Sequence, residues 1–303
     1  MRNIFIYKLS ERAKKNKNVI LLTGDLGFKY FDDFKKNFPK QFINVGIAEN
    51  NMINIAVGLA LNGKEVYVYS ILPFLVFKSL EQIRNNIANL DLNIKLIGGG
   101  GGFSYNTLGI SHNTSEDINI LRSIPNLHVL NPSFDLEAEK LIDYMFNLKK
   151  PSFIRLGKSF KIEGFERKNI KLLNGNIIQK GNEMCIITSG NILQNVLQAT
   201  AQINDKKISI VSFPILKPIK QNSVHSLLNK FKKILIIEES SEIGGLKSII
   251  LENSKNNEFN NTKFFNISLK DKPHHEIGTV EYLRKINNLS SQKIKKMILK
   301  IIN

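Results

Sequence analysis

One carboxylate stands out for where it sits. Glu49 lies in residues 42–61, FINVGIAENNMINIAVGLAL, in the opening turn of an otherwise apolar stretch that reads as one helix. Asn44 reads as its N-cap and Gly63 as its stop. The density of apolar residues between them predicts burial on most sides. A carboxylate there must meet the helix dipole, pair with a cation, open onto a cleft or be kept protonated. A lone first-turn glutamate is usually only a dipole partner, so the other reactive side chains decide. Asp25 in TGDLG, Ser70, the five glycines 98–102 and Arg155 all fall where short apolar strands end, and His112 lies in the polar loop FSYNTLGISHNT. Ligands of parallel α/β sheets bind outside the strands' carboxyl ends. A carboxylate, a histidine and an arginine at one rim could move protons and grip an anionic group.

Other chemistries fit less well. A dinucleotide-binding glycine pattern needs a helix to start at the loop, and here FSYNTLG continues as loop. No GK[ST] follows either, so the glycines are expected to allow close backbone approach to a ligand or a neighbouring chain. No GxSxG elbow accompanies His112. His274, His275 and Glu276 are adjacent, not at metal-ligand spacing, and read as a surface turn. The single cysteine, Cys185, sits in the apolar run MCIIT and reads as a buried, inert thiol.

The elements that must hold these residues alternate. Helices are expected at 3–15, 30–38 and 73–90, after Pro73, with strands at 19–22, 65–71 and 93–97. A helix from 115, capped by Thr114 or Ser115, a strand at 127–130, a helix at 136–147 and a strand at 152–156 complete a first series. After an irregular, charged linker at 158–171 a second series runs 184–189, 191–204, 207–212, 222–231, 234–238, 244–256 and 263–268. Two helices, 277–286 and 290–302, close it. The fold expected is α/β: two consecutive three-layer domains with mostly parallel sheets, at 1–157 and 172–303.

Composition agrees. A chain of 303 residues suits two domains, and 42% hydrophobic content suits globular cores. One cysteine fits a reducing, cytoplasmic setting. The +17 charge is spread along the chain without a basic block, which argues against nucleic acid and for a solvated surface that attracts phosphorylated substrates or an acidic partner. No run approaches the ~20 apolar residues that span a bilayer, and the N-terminal stretch has no small-residue cleavage site.

Taken together, NVGIAENNM, YSILPF, LEQIRNN, SHNTSEDI, LRSIPNLHVLNPSF and PSFIRLGK resemble the pyrimidine-binding domain of transketolases. ISIVSFPILKPI and ILIIEESSEIGGL resemble the transketolase C-terminal domain, in the correct order. The resemblance implies thiamine diphosphate, whose thiazolium acts as an electron sink. It implies that Glu49 meets the aminopyrimidine ring nitrogen, that Ile47 wedges between the cofactor's rings, that Phe74 and Phe77 hold the pyrimidine, and that Asp25 lies near the cofactor. From residue types alone, Ile47, Phe74 and Phe77 read equally well as core and Asp25 as a turn residue. His112 is implied to face the substrate and Arg155 to grip a sugar phosphate. Lys78 and Arg2 are weaker cationic candidates.

Two departures concern the substrate end. The acidic residue that many transketolases carry four positions before the substrate histidine is Leu108 here, and the glycine run replaces an upstream histidine. The GDG…N motif for Mg²⁺ and diphosphate is absent, and TGDLG does not fit it. The resemblance therefore implies the C-terminal subunit of a split transketolase. A separate N-terminal, diphosphate-binding subunit would hold Mg²⁺ in an α2β2 assembly acting on sugars or sugar phosphates. The alternatives are a deoxyxylulose-phosphate-synthase-like condensation, a 2-oxo-acid dehydrogenase beta subunit, and a non-catalytic regulatory or scaffold subunit.

Overall fold

A computed structural model describes residues 1–203, 207–254 and 262–302. The first series runs α1 (Arg2–Lys15), β1 (Val19–Thr23), α2 (Asp32–Asn37), β2 (Phe42–Asn44), α3 (Glu49–Leu61), β3 (Glu65–Ile71), α4 (Leu72–Phe77) and α5 (Leu80–Gln82). β4 (Ile94–Gly99), α6 (Asp117–Leu121), β5 (His128–Leu130), α7 (Asp135–Asn147) and β6 (Ser152–Leu156) follow. The second comprises β7 (Asn176–Gln179), β8 (Met184–Thr188), α8 (Leu193–Ala201), β9 (Ile208–Ser212), β10 (Ile215–Lys217), α9 (Gln221–Lys230) and β11 (Lys233–Ser241). It ends with α10 (Leu246–Glu252), β12 (Lys263–Leu269), α11 (Val280–Ile286) and α12 (Ser291–Ile302). The ends of the helices expected at 191–204 and 244–256 lie outside the described residues.

Both sheets are mostly parallel, ordered β10-β5-β6-β4-β3-β1-β2 and β12-β11-β8-β9-β7. Their central strands β1, β6, β8 and β9 are buried along their whole length, as strands covered on both faces must be. Besides β2, two short strands were not anticipated. β7 joins β9 antiparallel, and β10 leaves the second series to pair antiparallel with β5 of the first sheet (Ile215 opposite Leu130). The segment that forms β10 lies between Pro214 and Pro218 and meets a partner far back in the chain, so local pattern does not reveal it.

The first helices also differ from expectation. Residues 42–61 are not one helix: β2 takes 42–44 and α3 starts only at Glu49. α3 buries Glu49, Met52, Ile53 and Ala56, while Ile55, Val57 and Leu59 are only partly covered and Leu61 is exposed. The helix expected from Pro73 breaks after Phe77 and resumes as α5 and a π-helical turn, Ile83–Ala88. Lys78 stands at that break.

Candidate active site

A tight turn ahead of α3 fixes where Glu49 points. Gly46 adopts a left-handed conformation (φ 76°) between β2 and the helix. Asn44, expected as the N-cap, belongs to β2 and closes this turn instead. Its Oδ1 accepts from the N–H groups of Gly46 (3.0 Å) and Asp25 (2.9 Å), and its Nδ2 donates to Asp25 Oδ1 (3.0 Å). The N-cap position falls to Ala48, which has no side-chain acceptor. Asp25 is exposed and left-handed (φ 57°), a conformation aspartate tolerates. The β1 and β2 ends thus bring Asp25, Ile47 and Glu49 together.

Glu49 is only 3% exposed, and Ile47, two residues earlier, is 78% exposed. The isoleucine is therefore held out of the core beside a buried carboxylate. Glu49 sits at an uncapped helix N-terminus, where the backbone dipole favours negative charge. Its one hydrogen bond among the described residues comes from Lys78 Nζ, 3.3 Å from Oε2. Of the fates open to this carboxylate, the helix dipole and a cation partner are both observed.

A row of side chains leads on from Lys78. Its ammonium lies 4.7 Å from the Phe74 ring centroid, a cation–π distance. The Phe74 and His112 rings meet edge to face at 5.1 Å, and the Tyr105 ring lies 6.2 Å from His112. His112 Nδ1 is 2.9 Å from Ser111 Oγ, which leaves Nε2 for another partner. Phe77 lies on the same short helix as Phe74 and is 44% exposed. The orphaned hydroxyl of Ser70, buried at the end of β3, lies just ahead of that helix.

Arg155 stands apart from this row. It is buried in β6, with Nε 3.2 Å from Asp117 Oδ2 and a second nitrogen donating to Thr114 O (3.2 Å). Burial pushes the Asp117 carboxyl above its ordinary value, and the Arg155 charge opposes that push. The glycines explain how these groups fit. A Cβ on Gly100 would overlap the Tyr105 ring, on Gly101 the Arg155 guanidinium, and on Gly102 the Glu239 carboxylate. Within the chain, the close approach expected at the glycine run is made by its own side chains: Tyr105, Arg155 and Glu239.

Beside the run lies a cavity of about 360 Å³, lined by Arg2, Tyr105, Lys158, Asn191, Glu239 and Arg284. Burial pushes the Tyr105 phenol up to about 12, so it stays a neutral donor near pH 7. Tyr105, Asp117, Glu239 and Arg284 were missed from sequence. Asp117, Glu239 and Arg284 have partners far along the chain, and no spacing rule links them. Cys185 is buried, and burial raises its thiol to about 12, away from nucleophile chemistry. Among the described residues no three His, Cys, Asp or Glu side chains gather into a metal-holding group.

Comparison with known proteins decides the family. The transketolase pyrimidine-binding domain matches residues 1–160, and the transketolase C-terminal domain matches residues 173–275. The chain belongs to the transketolase family. It is 30% identical to a subunit of the apulose-4-phosphate transketolase of Phocaeicola vulgatus, over 84% of each chain. The like-named subunit from Actinobacillus succinogenes is 27% identical, over 83% of this chain and 82% of that protein. A solved structure described as a split gene transketolase, inactive beta4 tetramer, superposes with a TM-score of 0.84 at 25% identity, covering 99% of this chain and 97% of that one. Transketolase family membership thus covers both sheets, in chain order. No helix among the described residues is long and apolar enough to cross a membrane.

Proposed function

We propose that this chain is the pyrimidine-holding subunit of a two-component, thiamine diphosphate-dependent transketolase. It would move a two-carbon ketol unit from a ketose or ketose phosphate to an aldehyde. The observation that carries the proposal is Glu49: a buried carboxylate with one weak cation partner, beside an isoleucine held out at 78% exposure. A core would hide the isoleucine, and a simple dipole partner would face water.

These residues fit one end of the cofactor. When bound, thiamine diphosphate supplies an electron sink for breaking the bond beside a ketose carbonyl. Glu49 would share a proton with the ring nitrogen, Ile47 would enforce the bent conformation, and Phe74 and Phe77 would flank the ring. Lys78, 3.3 Å from Glu49 Oε2, would compete with the ring nitrogen for the carboxylate. His112, braced by Phe74 and Tyr105, would hold or move a proton at a substrate oxygen through Nε2. Arg2 and Lys158 line the adjoining cavity and suit an anionic substrate end.

The diphosphate and Mg²⁺ would be held by a separate N-terminal subunit, in an α2β2 complex located in the cytoplasm. The partly covered apolar residues of α3 suit such a contact. Glu49→Gln tests the reading in the assembled enzyme. It should lower exchange of the cofactor's C2 proton on the order of 10²–10⁴-fold while leaving the melting temperature within a few degrees. Near-normal exchange would return Glu49 to the role of a dipole partner.

A further inference from the structure

The loop that carries His112 is fastened to the other sheet. Thr114 N–H donates to Gly102 O (3.2 Å), which pinches the loop's base together. Next to that base the Phe103 N–H donates to Glu239 Oε1 (2.9 Å), a buried bond to the C-terminal end of β11. Glu239 Oε2 is 2.5 Å from Arg284 Nε, and another Arg284 nitrogen donates to Asn195 Oδ1 (2.7 Å). A side chain at Gly102 would occupy the place of the Glu239 carboxylate, so glycine there is what lets the carboxylate reach the Phe103 amide. Beyond the loop, Ser241 N–H donates to Ser115 O (2.8 Å) and Asn119 Nδ2 to Ser241 O (3.2 Å).

The contrast with the histidine itself is sharp. Among the described residues the His112 side chain bonds only to its neighbour Ser111, and its ring packs against Phe74 and Tyr105. The loop's base, by contrast, is held by an ion pair whose two side chains are 11% and 10% exposed. A carboxylate that accepts from both a guanidinium and a backbone amide in such a setting is a strong, directional clamp.

We propose that Glu239, held by Arg284, is a positioning residue for the His112 loop: a carboxylate of the second sheet sets the substrate end of the site in the first. Its functional meaning rests on the transketolase reading, but its test does not. Glu239→Ala and Glu239→Gln are made in the full chain. Amide hydrogen exchange is followed by peptide, together with the His112 imidazole proton resonance, assigned by its loss in His112→Asn. In Glu239→Ala, amides across residues 102–116 should exchange about tenfold faster or more while β8 and β9 stay protected. The ring-current shift that Phe74 and Tyr105 impose on His112 should collapse. Glu239→Gln keeps an acceptor for Phe103 and should restore most of both.

Unchanged loop exchange in Glu239→Ala, or acceleration spread evenly over the second sheet with the His112 resonance unmoved, would overturn the proposal. If Glu239→Ala does not fold, Arg284→Met gives the same readout. It leaves the carboxylate free to swing, and the loop should again exchange faster than β8 and β9; equal protection would count against the clamp. These measurements need neither cofactor nor partner, so failure here leaves the transketolase reading standing. Failure of that reading shows only on reconstitution.

Discussion

Glu49 and Arg155 are both charged groups buried near element ends, and the chain treats them in opposite ways. Among the described residues Glu49 has one polar partner, a half-exposed lysine at a helix break, 3.3 Å away. Arg155 has three: Asp117 at 3.2 Å, Thr114 O at 3.2 Å and Glu239 O at 3.5 Å, all packed where the glycines leave room. The first arrangement leaves a group available to a ligand. The second pairs its charge within the fold; Arg2 lines the 360 Å³ cavity, and Arg155 lines a smaller pocket that shares Gly100, Asn191 and Glu239 with it. The surroundings of Glu49 are thus built from neighbouring strand ends, and those of Arg155 by both sheets.

That comparison breaks most visibly at Arg155. Arg155→Met leaves the Asp117 carboxylate buried without its cation, so stability to urea should fall by about 3–5 kcal/mol. A loss below about 1 kcal/mol, with substrate affinity falling instead, would mean that Arg155 serves a ligand after all.

A second stability effect belongs to the strand that leads into the glycines. Lys95 in β4 is fully buried, and its Nζ donates to Leu148 O (2.5 Å) and Lys150 O (2.7 Å). A neutral amine can make both bonds, and burial lowers this amine from 10.5 to about 7. Above about 7 the unfolded chain binds more protons here than the folded one, so stability rises with pH from about 7 toward 10.5 and is flat below. Melting temperatures at pH 7 and pH 9 should show this rise in the native chain. Lys95→Met should lack it, and an equal rise in both would assign it to other groups.

The smallest effect is at Lys78. Lys78→Gln removes a competitor for the Glu49 carboxylate, so thiamine diphosphate should bind the assembled enzyme a few-fold tighter, about 1 kcal/mol, as expected for a half-exposed pair. Weaker binding would make Lys78 a contact for the ligand instead.

The same contrast explains what was legible in the sequence. The positions of β1, β3, β4, β5 and β6, the first-turn place of Glu49 and the loop place of His112 follow from hydrophobic period and turn residues, which act over a few positions. The start of α3 was misplaced because Asn44 looks like a cap, yet it closes a turn with Asp25, a partner that lies in a different strand end. β7 and β10 were missed because their pairing is antiparallel and distant. The glycine run showed that something approaches closely. That the something is Tyr105, Arg155 and Glu239 is information held only by the tertiary fold.

The central claim is that one end of the cofactor belongs to this chain and the other to a separate subunit. Ketol transfer should therefore be measured with the purified chain alone, and again after adding a diphosphate-binding transketolase subunit with thiamine diphosphate and Mg²⁺. The account predicts no turnover from the chain alone and turnover that rises with added partner to a stoichiometric plateau. Robust turnover by the chain alone would contradict it.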